Sequence, residues 1–215
     1  MCGRFALNQA LGQLRAYVRA RRINTNGRHF TPSNNISPGS SVPVVYNEEI
    51  NLCIWGVEIG PRTQPFFRCE TIDSKRKQDI ENRRCVIPID GYFEWCKANG
   101  NQPYFFKKAN GDLLFIAAFY TQSGRIALLT RDATKQVSEI HDRMPILFNL
   151  DEIPHWINGP NWKQMLEEKP PSLTFYPVSK SALRPSYNGP ECVAQIKVKK
   201  QSTLAAFLQK ESKEI

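Results

Sequence analysis

The sequence predicts a single α+β domain with a mainly antiparallel, barrel-like β core and short peripheral helices. Segments with strand character are short and numerous, whereas segments with helical spacing of apolar residues are few. The chain of 215 residues is long enough to bury one core, and its hydrophobic content of 41% is ordinary for a globular protein. We expect one domain over residues 1–197, followed by a polar, basic tail over residues 198–215.

The first half of the chain is predicted to contain two helices and four strands. Asn8 is placed to cap a helix that runs to about Arg21, in which four apolar residues at helical spacing share one face. A polar loop rich in Asn, Ser, Pro and Gly follows from Thr25 to Gly39. A second, strongly charged helix is predicted at 74–84. The four apolar residues of the first helix are Leu11, Leu14, Tyr17 and Val18. Two strands are predicted at 42–46 and 52–57, paired around the turn 47–51, and two more at 85–87 and 92–97.

The second half is predicted to consist mainly of strands. Segments 104–108 and 113–120 flank Asn110-Gly111, a pair of residues that favours a type I′ hairpin turn. Further strands are predicted at 126–130 and 173–178, and short helices at 151–157 and 162–168.

The charge of the chain favours a polyanionic partner. Lys and Arg total 29 and Asp and Glu total 20, which gives a formal net charge of +9. Such a surplus favours nucleic acid, although a solvated basic surface would have the same composition. The sequence has no run of about 18 apolar residues, so no membrane-spanning segment is expected. It also has no basic-then-apolar signal region, so secretion is not expected.

The cysteines and histidines do not form a metal-binding pattern. Six cysteines are spread along the chain without a C-x-x-C pair, and three histidines are not grouped with them at ligand spacing. We expect no metal or other cofactor, and we expect most cysteines to be buried as small apolar residues. These residues are Cys2, Cys53, Cys69, Cys85, Cys96 and Cys192, and His29, His141 and His155.

Cys2 gains a distinctive reactivity if Met1 is removed. It then carries a free α-amine and a thiol on adjacent carbons. The amine can condense with an aldehyde to an imine, and the thiolate can close on the imine carbon to give a stable five-membered thiazolidine. No internal cysteine can react in this way. The simpler interpretation is an ordinary residue near a terminus.

Glu94 and His141 are the other candidates for chemistry. Glu94 lies among aromatic residues in Asp90–Trp95, and His141 stands two residues before an arginine in Ile140–Pro145. Taken singly, Glu94 is more simply explained as an exposed charge and His141 as a loop histidine. Together with Cys2 they offer a nucleophile, a carboxylate in apolar surroundings and an imidazole beside an arginine. Those are the parts of an acid–base site.

The order of these stretches resembles that of the SRAP family, the SOS-response-associated peptidases, which shield abasic sites in single-stranded DNA by covalent linkage. The shared motifs run from Cys2 to about Ile196, and an M-C-G-R start combined with the Glu and His motifs is highly specific. The motifs in this sequence are Met1–Phe5, Asn35–Pro38, Trp55-Gly56, Arg68–Thr71, Asp90–Trp95, Ile140–Pro145 and Pro177–Ser179.

The resemblance implies a covalent reaction with abasic deoxyribose. The α-amine of Cys2 would form a Schiff base with the ring-opened sugar aldehyde, and its thiolate would then close a thiazolidine ring. Glu94, with a pKa raised by its aromatic neighbours, would donate and shuttle protons. It would also assist the removal of Met1 and the reversal of the crosslink. His141 would act on sugar ring opening or on the 3′ phosphate.

The resemblance also assigns residues to DNA binding. Three arginines would hold phosphates on either side of the lesion, because a guanidinium donates two hydrogen bonds to one phosphate and stays charged. Other residues would line the pocket and contact bases or backbone. The arginines are Arg4, Arg68 and Arg143; Pro38 and Trp95 are assigned to the pocket, and Asn35 is a further DNA-binding residue. Trp55, by contrast, is expected in the core.

One position departs from the family pattern. The residue two before the arginine of R-x-E-T is normally an asparagine that contacts the lesion sugar, and here it is Phe66. Phenylalanine cannot hydrogen-bond the sugar. Either a nearby polar group such as Gln64 takes over this contact, or the chain reacts more slowly or binds DNA differently. The crosslink is still expected, because its bonds are formed by atoms of Cys2.

The tail resembles a PIP box, the short segment that docks on the replication sliding clamp (PCNA). Its glutamine, aliphatic and aromatic positions have the spacing of that motif, with leucine at the last, usually aromatic position. The alternative is a terminal amphipathic helix packed on its own domain. The motif residues are Gln201, Leu204, Phe207 and Leu208.

Three functions are compatible with these features. The first is a DNA-damage protein that crosslinks itself through Cys2 to abasic sites in single-stranded DNA. The second is an N-terminal-nucleophile cysteine peptidase or hydrolase acting in trans, and the third is a non-catalytic DNA-binding adaptor recruited by the clamp. The arginines and the net charge favour the first, because a peptide hydrolase needs no phosphate clamp. The resemblance further implies a monomer, located in the nucleus if the source is eukaryotic, as the tail suggests, and otherwise in the cytoplasm.

Overall fold

The computed structural model describes residues 3–197 and folds them into two main β-sheets flanked by short helices. The helices are α1 (Leu11–Tyr17), α2 (Ser74–Asn82), α3 (Lys135–Ser138), α4 (Ile153–Asn158) and α5 (Trp162–Met165). The strands are β1 (Phe5–Leu7), β2 (Arg22–Asn24), β3 (Ser33–Ile36), β4 (Ser41–Tyr46), β5 (Glu49–Trp55), β6 (Val57–Ile59), β7 (Arg62–Gln64), β8 (Phe66–Arg68), β9 (Arg84–Ile89), β10 (Gly91–Cys96), β11 (Gln102–Lys108), β12 (Leu114–Tyr120), β13 (Arg125–Asp132), β14 (Arg143–Pro145), β15 (Leu147–Phe148) and β16 (Leu173–Pro177).

Both main sheets consist chiefly of antiparallel pairs, as predicted. The smaller sheet has five strands in the order β16-β11-β10-β1-β3. The larger sheet has nine strands, in the order β14-β13-β12-β9-β4-β5-β2 with β15 beside β12 and β8 beside β13. Strands β5 and β13 also pair, in parallel, so that β5, β4, β9, β12 and β13 form a closed ring of neighbours. The predicted α+β class is confirmed.

One large apolar cluster takes side chains from both sheets. Trp55 is fully buried in it, as expected: its ring centroid lies 4.8 Å from that of Phe5, and its indole N–H donates to the Pro65 carbonyl at 2.9 Å. A smaller cluster on the other face of the five-stranded sheet contains Ala6 and Phe93. Because side chains alternate along a strand, β1 and β10 are covered on both faces.

Helix α1 is shorter than predicted. Asn8 does not cap it: Ala10 is at the N-cap position, and the Asn8 side-chain amide donates to Asn34 Oδ1 at 2.9 Å. The helix does not reach Arg21, since Arg19 adopts a left-handed φ of 53° that ends helical hydrogen bonding. The predicted apolar face is confirmed, with Leu14 buried and Leu11, Tyr17 and Val18 packed partly against the core.

Two connections in the first half also differ from the prediction. The polar segment 25–39 is not loop throughout, because it contains β3, which pairs with β1. The hairpin of β4 and β5 is confirmed, but its turn is only Asn47-Glu48, with φ of 52° and 58°. Two left-handed residues in succession match the twist of a tight hairpin, so β5 begins already at Glu49.

The turn Asn110-Gly111 does not connect a hairpin, and that prediction is wrong. Gly111 has a left-handed φ of 83°, and its N–H donates to the Lys108 carbonyl at 3.0 Å, so the turn itself forms. However, β11 pairs with β10 and β16, whereas β12 pairs with β9, β13 and β15. The turn therefore carries the chain from one sheet to the other.

The remaining predicted elements are present with small shifts of their ends. Asp73 caps α2 by accepting the Arg76 N–H at 2.7 Å. Strands β9, β10, β13 and β16 lie where they were predicted, and α4 and α5 are shorter than predicted. Among residues 3–197 no helix has the length and apolar character needed to cross a membrane. Three of the five cysteines in this part of the chain are buried, and these five are free thiols.

Two glycine-to-alanine substitutions should shift stability in opposite directions. A Cβ at Gly91 would overlap the Phe106 carbonyl oxygen and the Phe105 ring, so Gly91→Ala should destabilise the fold by about 2 kcal/mol or more. Gly12 lies in α1 with open space around it, so Gly12→Ala should stabilise by about 0.5 kcal/mol. Urea unfolding measures both. Equal effects of the two changes would contradict the packing of β10 against β11.

Candidate functional site

A cavity of about 420 Å³ lies where β8, β10 and the segment before β14 meet. It brings together Glu94, Trp95, His141, Arg68 and Arg143, five of the predicted site residues. Cys2 lies outside the described residues, as do Gln201, Leu204, Phe207 and Leu208 of the predicted PIP box. The complete lining is Phe66, Arg68, Glu94, Trp95, Lys97, Asn101, His141, Asp142 and Arg143.

Glu94 is the buried acid of this cavity. It lies in the middle of β10, only 1% exposed, between Phe93 and Trp95. Burial raises its pKa to about 7, and the negative charge of Asp142 adds to the rise. The predicted upward shift is therefore confirmed. Near neutral pH this carboxyl exists both protonated and ionised, which suits a group that gives and takes protons.

His141 faces Glu94 with its Nε2 atom. The two side chains approach to 3.9 Å between Nε2 and Glu94 Oε2, which is longer than a hydrogen bond. Burial is the main reason why the pKa of His141 is lowered, so the neutral ring is favoured at pH 7. Its Nδ1 accepts the backbone N–H of Arg143 at 3.0 Å, which leaves the ring proton on Nε2.

A second contact of His141 Nδ1 does not fit the neutral ring with its proton on Nε2. The Asp142 carboxylate lies 2.8 Å from Nδ1, and in that tautomer both atoms are acceptors. The Asp142 side chain is 85% exposed and can turn towards water, whereas the Arg143 backbone N–H is fixed by β14. The backbone donor therefore sets the tautomer, and Asp142 becomes a hydrogen-bond partner only of the protonated ring.

Arg143 is almost fully engaged by its neighbours. Its side chain is 6% exposed and forms a two-pronged pair with the Glu70 carboxylate, at 2.9 and 3.0 Å. It also pairs with Asp132 and donates to Thr130 at 3.3 Å. Burial alone would lower the pKa of Arg143, but these carboxylates outweigh it and raise the pKa. The contacts join Glu70, in the 3-10 helix Cys69–Thr71, to β13 and fix the backbone that orients His141.

Arg4 and Asn35 form a second internal network. The Arg4 guanidinium donates to Asn35 Oδ1 at 2.8 Å and to the Ala182 carbonyl at 3.1 Å. The Asn35 amide in turn donates to the carbonyls of Arg184 and Tyr187, at 3.0 and 2.8 Å. Both side chains are buried, and neither belongs to the cavity lining. The network ties the first strand to the segment 182–187.

Arg68 differs from the other two predicted arginines. It is exposed at the end of β8 and lines the cavity, and its side chain forms no hydrogen bond or ion pair with the described residues 3–197. Pro38 is exposed on the turn after β3 and is not part of the lining. Trp95 is half-buried, with its ring edge-on to Phe93 at 6.2 Å, and forms part of the wall.

Phe66 does line the cavity, so the departure from the family pattern falls within the site. Gln64 is not among the lining residues, and its amide donates to the Phe66 carbonyl at 2.7 Å. The polar lining residues that the sequence interpretation missed are Lys97, Asn101 and Asp142. The only signal for them was position, since Lys97 and Asn101 closely follow Glu94 and Asp142 adjoins His141. Within the described chain, no group of three or more His, Cys, Asp or Glu side chains could hold a metal ion.

Comparison with known proteins gives a consistent result. The model of the SOS response associated peptidase (SRAP) family matches residues 1–185. Abasic site processing protein YoaM of Bacillus subtilis is 26% identical over 185 residues, covering 75% of this chain and 81% of that protein. Abasic site processing protein YedK of Escherichia coli is 27% identical over 182 residues, covering 73% and 79%. A crystal structure of a protein from Bacteroides thetaiotaomicron shares the fold, with a TM-score of 0.78 at 18% identity, over 91% of this chain and all of that one.

The raised pKa of Glu94 should make the effect of Glu94→Gln depend on pH. The Glu94 carboxyl has a pKa of about 7 in the folded protein and about 4.5 in the unfolded chain. The free energy of unfolding of the wild type therefore falls as the pH rises from 4.5 through 7. Glutamine cannot ionise. Between pH 4 and pH 8 the stability difference should therefore move in favour of Glu94→Gln by up to about 3 kcal/mol, measured by urea unfolding.

Glu70→Gln provides the matched control with the opposite sign. Although burial opposes it, the hydrogen bond from Arg143 lowers the pKa of Glu70, so its contribution to stability is present above the unfolded pKa and is lost as pH falls. This variant should be less stable than the wild type at pH 7 and should approach it in acid. If both variants showed the same pH dependence, the buried position of Glu94 would be wrong.

Proposed function

We propose that this chain, which belongs to the SOS response associated peptidase (SRAP) family, captures abasic sites in single-stranded DNA through a thiazolidine crosslink to Cys2. The substrate class is supported by relatives that are named abasic site processing proteins. The observation that carries the chemistry is the pairing of β1 with β10, the strand that holds Glu94.

This pairing directs the start of the chain towards the cavity. Phe5 lies opposite Tyr92, and the Arg4 carbonyl accepts the Phe93 N–H at 3.0 Å. In an antiparallel pair the next residue back along β1, Gly3, corresponds to the next residue forward along β10, Glu94. Cys2 directly precedes Gly3 in the chain. The register therefore supports the proposal that an N-terminal Cys2 reacts with the help of Glu94.

The first covalent step forms the C–N bond. The free α-amine of Cys2 attacks the aldehyde carbon of the opened deoxyribose, and a proton moves from nitrogen to oxygen to give a carbinolamine. Protonated Glu94 then donates its proton to the hydroxyl group, which leaves as water. The product is an iminium ion beside an ionised carboxylate, and the buried carboxylate stabilises that positive charge.

The second covalent step forms the C–S bond and restores the acid. The ionised Glu94 takes the proton of the Cys2 thiol, and the thiolate adds to the iminium carbon to close the ring. The net reaction joins the aldehyde and the aminothiol and releases one water. A pKa of about 7 allows one carboxyl to act as acid and then as base at neutral pH. Reversal of the crosslink runs the same steps backwards.

His141 is suited to the sugar rather than to the cysteine. Its Nδ1 is occupied by the Arg143 N–H, so its remaining donor is the Nε2–H, which faces the side of Glu94. There it can donate to the ring oxygen of the closed sugar during opening, or hydrogen-bond the 3′ phosphate. Removal of Met1 comes first, because only an N-terminal Cys2 has the amine; this hydrolysis consumes one water, and the proposal assigns its assistance to Glu94.

The crosslink is tested with a single-stranded oligonucleotide that carries one abasic site. The full chain, with Met1 removal verified by mass spectrometry, should give a band on a denaturing gel that survives heat and SDS. An intact oligonucleotide should give none. Cys2→Ala should abolish the band, whereas Cys192→Ala, a buried cysteine outside the cavity, should retain it. Glu94→Gln should slow formation or reversal by about 100-fold or more, the usual contribution of a general acid–base group.

The alternatives predict different outcomes. Absence of the band from protein that lacks Met1 would refute the crosslink. Hydrolysis of amide substrates in trans without a band would identify the N-terminal-nucleophile hydrolase. Reversible binding of single-stranded DNA without a covalent product would identify the adaptor. His141→Gln slows the reaction of a closed abasic sugar but not of an oligonucleotide with a fixed open-chain aldehyde, if its role is ring opening.

Docking on the sliding clamp, and with it a nuclear location in a eukaryotic source, is the second part of the proposal. The PIP-box residues lie outside the described residues, so this part is supported by sequence spacing alone. Phe207→Ala should weaken the pulldown of purified PCNA at least tenfold and leave the crosslink unchanged, whereas Ser202→Ala should bind as the wild type. Equal pulldown by both variants would refute it. Sedimentation of the purified chain tests the proposed monomer.

A further inference from the structure

We propose that Lys97 is a DNA-contacting residue of this site, and that its ammonium binds the phosphate on the opposite side of the lesion from the phosphate bound by Arg68. This inference rests on the proposed function, because it assumes a single strand of DNA in the cavity. It assigns the phosphate contacts differently from the motif pattern, which names Arg4, Arg68 and Arg143.

The cations near the cavity differ in how far their charge is already compensated. Arg143 is paired with two carboxylates, and the Arg4 guanidinium is buried against Asn35 and a backbone carbonyl. To bind phosphate, either side chain would have to give up contacts inside the protein. The side chains of Arg68 and Lys97 form no hydrogen bond or ion pair with the described residues 3–197. These two can bind a phosphate without that cost.

Lys97 lies close to the reacting groups. It begins the 3-10 helix Lys97–Asn99, which directly follows β10, and it lines the same cavity as Glu94 and His141. Its exposed side chain leaves the ammonium hydrated and mobile. The lowered pKa of His141, due first to burial, is also due in part to the positive charge of Lys97, which places the ammonium within electrostatic range of the imidazole.

The two available cations come from different sheets. Arg68 ends β8, which pairs with β13 of the larger sheet, and Lys97 follows β10 of the smaller sheet. Glu94 and His141 line the cavity with them. Every sugar within a DNA strand carries one phosphate on its 5′ side and one on its 3′ side. A sugar at Glu94 therefore has a phosphate for each sheet to bind.

The backbone around Lys97 is held in place although its side chain is free. Gly100 and Asn101 adopt successive left-handed conformations, with φ of 58° and 56°, and so close the turn into β11. The Gly100 carbonyl accepts a hydrogen bond from Lys180 at 3.2 Å. The turn is thereby tied to the 3-10 helix Lys180–Leu183, the same segment that Arg4 contacts. A lysine on a fixed turn loses only side-chain freedom when it binds.

Salt dependence of binding tests whether Lys97 contacts a phosphate. The probe is a single-stranded oligonucleotide with one tetrahydrofuran, a stable abasic analogue that has no aldehyde and cannot crosslink. The logarithm of the association constant falls linearly with the logarithm of the salt concentration. The magnitude of this slope should be smaller by about 0.7 for Lys97→Ala than for the wild type, the value for one phosphate contact on a single strand. Lys97→Arg should keep the wild-type slope. Lys77→Ala, an exposed lysine of α2 outside the cavity lining, should keep it as well.

Neutral phosphates test which phosphate each cation contacts. Two further probes carry a methylphosphonate in place of the phosphate directly 5′ or directly 3′ of the tetrahydrofuran. The wild type should bind both more weakly than the parent probe. Lys97→Ala should lose its sensitivity to one of the two replacements and Arg68→Ala its sensitivity to the other.

The inference and the proposed function fail in distinguishable ways. If the wild type forms the crosslink but Lys97→Ala has the slope and affinity of Lys77→Ala, Lys97 is a solvated surface lysine and only the inference is overturned. Loss of sensitivity at the same phosphate in Lys97→Ala and Arg68→Ala also overturns it. If the wild type binds the probe but forms no crosslink, the proposed function fails, while the two slopes still decide the role of Lys97. If the wild type does not bind the probe, the inference is overturned, and the crosslink assay alone decides the proposed function.

Discussion

Strand β1 is held on both edges, by β10 and β3, and on both faces by apolar clusters. Burial of Phe5 and Leu7 contributes about 2 kcal/mol each, which is enough to fix the strand against fraying. Ordinarily the first residues of a chain are poorly ordered, and a strand inside a sheet is the usual exception. This pairing sets the register between the beginning of the described chain and β10, the strand that carries Glu94.

Buried hydrogen bonds and ion pairs hold the segments around the cavity in addition to the apolar clusters. A buried arginine is costly unless its donors are used, and Arg4 uses them on Asn35 and on carbonyls of the segment 182–183. Asn35 in turn satisfies carbonyls further along that segment. The segment therefore cannot shift without leaving buried groups unpaired. In the same way the Glu70 pair holds Arg143, whose backbone orients His141. Arg4 and Arg143 thus stabilise the backbone of the segments that they contact.

The sequence predicted residue types better than their partners. Glu94 and His141, which the motifs grouped, line one cavity, and the aromatic neighbours of Glu94 correctly indicated its raised pKa. They could not distinguish Arg68 from Arg143, because the difference lies in Glu70 and Asp132, which reach Arg143 only through the pairing of β13 with β8 and β14. Lys97 was missed for a related reason, since a lone lysine has no local signal until the cavity around it is known. In the fold, Asn110-Gly111 predicted the turn but not which strands it would join, because strand partners are chosen by packing of distant segments.

Phe5 and its partner Tyr92 are far apart along the sequence, and this separation has a consequence for biosynthesis. A ribosome that adds 5–20 residues per second needs about 10 s to pass from one to the other. During that time the first residues of the nascent chain have neither the carboxyl of Glu94 nor the imidazole of His141 beside them. A long-range pair of this kind also forms late in folding, since loop closure must precede it. Strand β1 thus acquires its partner β10 only after about half of the domain has been synthesised.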